Sequence, residues 1–170
     1  MIPVRLTKSQ MAQAYQCASA RGLVMRAAQI ANQQVSKAQS GMDVELLGVK
    51  AEFAVAAIFQ ADFQPMAIGV DVGSDLFIDD IGVDVKSTFH QSGQMLFRSP
   101  NHFKADICIL ATSSDQPDVI NVIGWLSKRD FLTEARPSPN EKFTGIAVPQ
   151  GKLKSLGALW EGIIKRRLSK

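Results

Sequence analysis

The chain has 170 residues, 46% of them hydrophobic, and a formal net charge of +3. That length suits one well-packed domain and is short for two. No apolar run approaches a membrane span, and the opening Met1-Ile2-Pro3-Val4-Arg5 lacks the apolar stretch of a signal peptide. Cys17 and Cys108 lie far apart, and neither sits in a Cys-x-x-Cys pair. They predict reduced core residues of a cytoplasmic protein, not a disulfide framework or a zinc site.

Charge is unevenly spread. Residues 1–42 hold Arg5, Lys8, Arg21, Arg26 and Lys37 and no acid, and the segment from Lys152 to Lys170 sets six bases against Glu161. From Asp62 to Asp84 there are six aspartates and no base. An acidic centre between basic ends suits a metal site within a polyanion-binding surface, although solvated helix faces explain each end equally well.

In chain order, residues 7 to about 40 are rich in Ala and Gln and predict helix after a Thr7 or Ser9 cap, with Gly22 as a point of interruption. Tyr15, Leu23, Met25 and Ile30 make only a loose apolar stripe, which places this segment on the outside of the fold. Ser40-Gly41-Met42-Asp43 reads as a helix start, and Val44 to Gln60 as a strongly apolar helix buried around most of its circumference. Glu52 lies in the middle of that run, where an ionised carboxylate is costly unless paired, protonated or bound to a cation. Gly48, one turn earlier, would let a backbone or a ligand approach that face.

Strands are predicted at Phe63 to Val70, in a hairpin from Asp75 to Thr88, and at Met95 to Arg98, Ala105 to Thr112, Val119 to Trp125 and Phe143 to Val148. Ser127 caps a short helix over Lys128 to Glu134, and Leu153 to Leu168 is helical with Trp160 and Ile164 available to pack and Arg166 and Arg167 exposed. The order predicts a single α/β domain over residues 1–170, with a mixed central sheet flanked by helices. A basic helical segment (1–42) precedes the core (43–149), and a basic helix (150–170) follows it.

The hairpin concentrates the chemistry. On a strand, Asp84 and Lys86 share one face while Val83 and Val85 share the other. A loop of two residues (Asp80-Ile81) or four (Asp79 to Gly82) sets Phe77 opposite Asp84 and Asp75 opposite Lys86. Asp75, Asp84 and Lys86 then converge on one face, whereas a three-residue loop would put Asp75 on the apolar face. With Glu52 from the packed helix, the two aspartates suit a hard divalent cation, which would offset their mutual repulsion. Lys86 beside them could orient or deprotonate a water, or stabilise charge on a phosphorane-like transition state. The reaction class is metal-assisted phosphodiester hydrolysis. The competing account of the hairpin is a surface salt bridge between Lys86 and Asp75, which leaves Glu52 unexplained.

The pattern Gly48-x-x-x-Glu52 on a helix, then Asp75, then Asp84-x-Lys86-Ser87-Thr88 on adjacent strands resembles the PD-(D/E)XK nuclease superfamily. The resemblance covers roughly Asp43 to Pro149 and rests on four diagnostic residues. It implies a restriction-endonuclease-like αβββαβ core and an endonuclease using Mg²⁺ or Mn²⁺ on DNA or, alternatively, RNA, with a homo-oligomer left open. It implies Asp75 and Asp84 as metal ligands, Lys86 as the catalytic lysine, Glu52 as a carboxylate that meets the metal directly or through water, and the Val85 carbonyl as a further ligand. Ser74 stands where that pattern often has proline, and Asp71 competes for the role of Asp75. Gln94 and Arg98 follow the active strand and could touch a phosphate; His90, just past that strand, is either a proton donor or substrate contact or an ordinary loop histidine, and His102 has no partner at ligand spacing. The alternatives are a catalytically silent nucleic-acid-binding or assembly module on the same fold, and a protein-interaction subunit with no nucleic-acid role.

Overall fold

The computed structural model describes residues 1–27, 40–63, 65, 73–139 and 143–169. The elements in order are β1 (Ile2–Arg5), α1 (Lys8–Ala27), α2 (Gly41–Phe59), β2 (Leu76–Ile78), β3 (Ile81–Thr88), β4 (Met95–Phe97), β5 (Ile107–Ser113), β6 (Val119–Ser127), α3 (Lys128–Glu134), β7 (Arg136–Pro137), β8 (Ile146–Val148) and α4 (Leu156–Leu168). Five strands form a mixed sheet in the order β1-β6-β5-β3-β2, in which β3 and β5 run parallel and the other pairs antiparallel. A second, antiparallel sheet has the order β4-β8-β7. The protein is thus α/β with a mixed central sheet. Among the described residues, no helix is long and apolar enough to cross a membrane.

The amino terminus departs from the expectation of a helix-first chain. Ile2–Arg5 adds an edge strand to β6, a position where Pro3, which has no N–H to donate, is tolerated. Thr7 then starts α1 by a reciprocal cap. Its hydroxyl accepts the Gln10 N–H at 3.2 Å, and the Gln10 side-chain oxygen accepts the Thr7 N–H at 2.9 Å.

Helix α1 runs unbroken through Gly22, so the interruption expected there does not occur. It lies on the outside with most of its surface open, but one face is fixed: Ala14, Cys17 and Ala18 are fully buried where it packs against α2. Small side chains at this three-and-four spacing let the helices approach closely. Tyr15 and Leu23, from the loose apolar stripe, face solvent. Ile30 and the strand proposed from Phe63 to Val70 fall wholly or mostly outside the described residues, as does Asp71.

Helix α2 follows its sequence signals. Ser40 and Asp43 form a capping box, with the Ser40 hydroxyl accepting the Asp43 N–H at 3.2 Å and the Asp43 carboxylate accepting the Ser40 N–H at 3.0 Å. The helix ends at Gln60, whose φ of 52° is left-handed. Leu47, Val49, Phe53, Val55 and Phe59 are buried against the sheet. Gly48 does not serve a close approach, since a Cβ there would meet nothing within 4 Å.

The hairpin turns at Asp79-Asp80, one residue earlier than expected. It pairs Leu76 with Val83, Phe77 with Gly82 and Ile78 with Ile81. Asp79 takes a φ of 55°, a conformation that Asp tolerates better than most residues. Helix α4 holds this turn: Arg167 makes two hydrogen bonds to the Asp79 carboxylate, at 2.9 and 3.0 Å, and Arg166 pairs with Asp80. These arginines stand exposed, as expected, and also brace the hairpin. The register differs from the expected one by two residues, and an even shift leaves every side chain on its face.

That alternation splits the core in two. Val83 and Val85 join Ile107, Ile109 and Ala111 in the larger core under α1, α2 and α4. On the opposite face, Cys108 and Leu110 join Met95, Phe97, Phe103, Phe131 and Val148 in a smaller, aromatic core shared with the second sheet.

Candidate active site

Asp84 is paired in register with Cys108, and Lys86 with Leu110, so both acid and amine lie on the face of the smaller core. Asp75 immediately precedes β2, and its N–H donates at 2.8 Å to the carbonyl of Val83, the residue already paired with Leu76, so that Asp75 and Leu76 both lie against Val83, as in a β-bulge. The Asp75 carboxylate also accepts the Val85 N–H at 2.6 Å. In a strand the N–H and C=O of one residue leave on the same edge, so the Val85 carbonyl points to the side on which Asp75 lies.

Asp75, Asp84 and Lys86 line one cavity of about 200 Å³ together with Gly73, Leu96, Phe97, Arg98 and His102. Gly73 has a φ of 87°, and a Cβ there would stand 2.6 Å from the Lys104 Cβ. Glycine is required at that wall. Asp84 is buried at 7% exposure, and the Lys86 ammonium lies 2.6 Å from its Oδ1. The ammonium also sits 4.8 Å above the centre of the Phe97 ring, a favourable position for a cation. Burial pulls the Lys86 amine down, but the charge and hydrogen bond of Asp84, with the charge of Asp75, oppose it, and the pKa lies above the usual lysine range. Lys86 is therefore an ammonium at neutral pH. Burial pushes the neighbouring Cys108 thiol well up, which keeps it protonated.

Glu52 is placed differently. It projects from α2, the helix packed on the far side of the sheet, and is buried at 5% exposure. Arg21 on α1 grips both of its oxygens, at 2.8 and 2.9 Å. Burial pushes the Glu52 carboxyl up to about 7; the Arg21 hydrogen bonds oppose this, and the nearby Asp75 charge adds to it. Asp75 thus stands within electrostatic reach of both Glu52 and the Asp84–Lys86 pair. Glu52 does not line the cavity. Among the described residues, no group of three or more His, Cys, Asp or Glu side chains is arranged to hold a metal ion.

The donor set at the cavity still fits a hard divalent ion. Two carboxylates, Asp75 and Asp84, line one cavity, and Mg²⁺ commonly takes one or two carboxylates and keeps several waters. Glu52 is not among them, and both of its oxygens accept from Arg21. Arg21 was legible as a base but not as the partner of Glu52, since 31 residues separate them. Phe97 and His102 carried no sequence signal for the site, because only the packing of the second sheet brings them there. His90 is exposed and lies outside the cavity. No protein-family model matches the chain, and neither a curated protein nor a solved structure shows significant similarity to it.

Proposed function

We propose that this protein is a divalent-metal-dependent phosphodiesterase that hydrolyses DNA, built on a restriction-endonuclease-like core of the PD-(D/E)XK kind. The observation that carries the reading is the opening of Asp84 and Lys86 from β3, and of Asp75 from the residue just before β2, into one cavity. Asp75 and Asp84, with the Val85 carbonyl, would hold Mg²⁺ or Mn²⁺. The ion would supply Lewis acidity and a more acidic bound water.

The chain's own groups do the rest. The cavity wall formed by Phe97 and Leu96 limits water around the reacting phosphate, and a drier site strengthens each charge within it. Lys86, protonated and positioned by Asp84 and the Phe97 ring, would neutralise charge that develops on a non-bridging oxygen. Its role is electrostatic, because an amine held in the ammonium form does not act as a base. Glu52, closed by Arg21, would set the local field at Asp75 from behind.

The test is cleavage of supercoiled DNA, linear DNA and RNA by the purified protein in Mg²⁺, in Mn²⁺ and in chelator. Metal-dependent cleavage of DNA that disappears in Asp84→Asn and Lys86→Ala supports the reading. Absence of cleavage with either metal, or full activity of Lys86→Ala, overturns it.

The bidentate Arg21–Glu52 pair favours a second reading, a nucleic-acid-binding module without turnover. There the third carboxylate is permanently satisfied by an internal cation, and binding would be salt-sensitive with no product.

A further inference from the structure

The cavity has a second wall that the proposed chemistry leaves unused. Arg98 leaves the end of β4, and His102 ends the short turn at Pro100–His102; both line the cavity across from the carboxylates. Arg98 is exposed and, among the described residues, forms no ion pair, whereas Arg5, Arg21, Arg166 and Arg167 each pair with a carboxylate. His102 is oriented by a 2.8 Å hydrogen bond between its Nδ1 and the Ser99 hydroxyl.

The segment carrying these groups is pinned at both ends. Phe97 and Phe103 are buried and stack with ring centres 4.7 Å apart and planes 5° apart, and both meet the edge of Phe131. Residues 98–102 therefore form a short bridge over a rigid aromatic base. The backbone that carries Arg98 is thereby fixed at the mouth of the cavity.

Charge and size narrow the ligand. Asp75 and Asp84 balance Lys86 and Arg98, so the cavity is formally neutral. One divalent ion would give it two positive charges, matching a phosphodiester whose transition state is dianionic. A volume of about 200 Å³ lies below the roughly 300–1,000 Å³ of pockets that enclose whole small molecules. It has room for a phosphate and an ion. Recognition there would read the backbone, which carries no base sequence.

We infer that Arg98, with His102, is the phosphate anchor of this cavity, holding a non-bridging oxygen of a phosphodiester opposite Asp75 and Asp84. The inference rests on the phosphodiesterase reading for its reaction, and its binding is measurable without any turnover.

The probe is the dinucleoside phosphodiester of thymidine, titrated into the labelled full chain in Ca²⁺ while the His102 imidazole is followed by NMR. A saturable shift at His102 is expected, weakened about tenfold or more by Arg98→Ala, as loss of a charge-assisted hydrogen bond requires. Arg129→Ala on α3 serves as the control and should leave it unchanged. An unmoved His102, or equal affinity in Arg98→Ala, overturns the anchor. In Mg²⁺, Arg98→Ala should raise KM for DNA about tenfold with a much smaller change in kcat, and Arg98→Lys should recover part of it. A wild type that cleaves while Arg98→Ala keeps its KM sinks the anchor and leaves the phosphodiesterase reading standing. Arg98-dependent binding by a wild type that cleaves nothing does the reverse.

Discussion

Two carboxylate–cation pairs sit on opposite sides of the same sheet, and they are built for different ends. Glu52 and Arg21 come from two helices and meet through two hydrogen bonds, fork to fork, inside the larger core. Asp84 and Lys86 come from one strand, two residues apart, and meet at a single oxygen beside a cavity. The first geometry uses both oxygens of the carboxylate on one partner, which suits a structural tie between α1 and α2. The second leaves the ammonium half in the cavity, where a phosphate can reach it. The difference teaches that burial alone does not tell a tied carboxylate from an accessible one; what its partner leaves open matters more.

The largest test of this contrast is at the cavity. Asp84→Asn and Lys86→Ala should each lower metal-dependent cleavage by about 10²–10³-fold or more, the scale of losing one group that stabilises a developing charge. Circular dichroism should show the fold intact, and a variant that still cleaves at the wild-type rate would erase the distinction between the pairs.

The next effect should be on stability. Arg21→Met removes the partner of a buried carboxylate and should cost about 3 kcal/mol at pH 8 by urea denaturation. The loss should shrink at pH 5, where Glu52 can take up a proton instead. In both the wild type and this variant, the folded-state pKa of Glu52 lies above its unfolded value of about 4.5. Its contribution is therefore most favourable below that value and is lost as pH rises through the folded pKa, near 7 in the wild type. Adding Glu52→Gln to Arg21→Met should flatten this dependence, and a pH-independent single variant would refute the assignment.

Smaller changes sharpen the comparison without touching either pair. Ser40→Ala deletes the cap of the helix that carries Glu52 and should destabilise the protein by about 1 kcal/mol, read as a shift in the urea midpoint. Arg167→Ala frees the Asp79 turn from α4. Its effect on melting temperature should be the least of these and should fade in high salt, because the pair is exposed and screened.

Much of the hairpin and of α2 was readable directly. Ser40 followed by Asp43, the apolar run to Phe59, the alternation through Asp84 and Lys86, and the Ser127 cap of α3 are all local patterns enforced by backbone hydrogen bonding and periodicity. The turn of the hairpin was less so. The sequence allowed two loops with the same face assignment, and the third, at Asp79-Asp80, is stabilised by arginines 86 and 88 residues away. The packed face of α1 was not legible for a related reason: it is made of Ala14, Cys17 and Ala18, residues too small to signal burial in a hydrophobic pattern.

By itself, the sequence determined the α/β class, the helix carrying Glu52, and the common face of Asp84 and Lys86, because a period of two sets residues i and i+2 of a strand on one side. The tertiary structure alone decided that Glu52 faces Arg21 and not the aspartates, and that Phe97, Arg98 and His102 close the cavity. Such choices depend on how helices and sheets stack across long separations, where side-chain volume and charge pairing compete and no local pattern records the outcome.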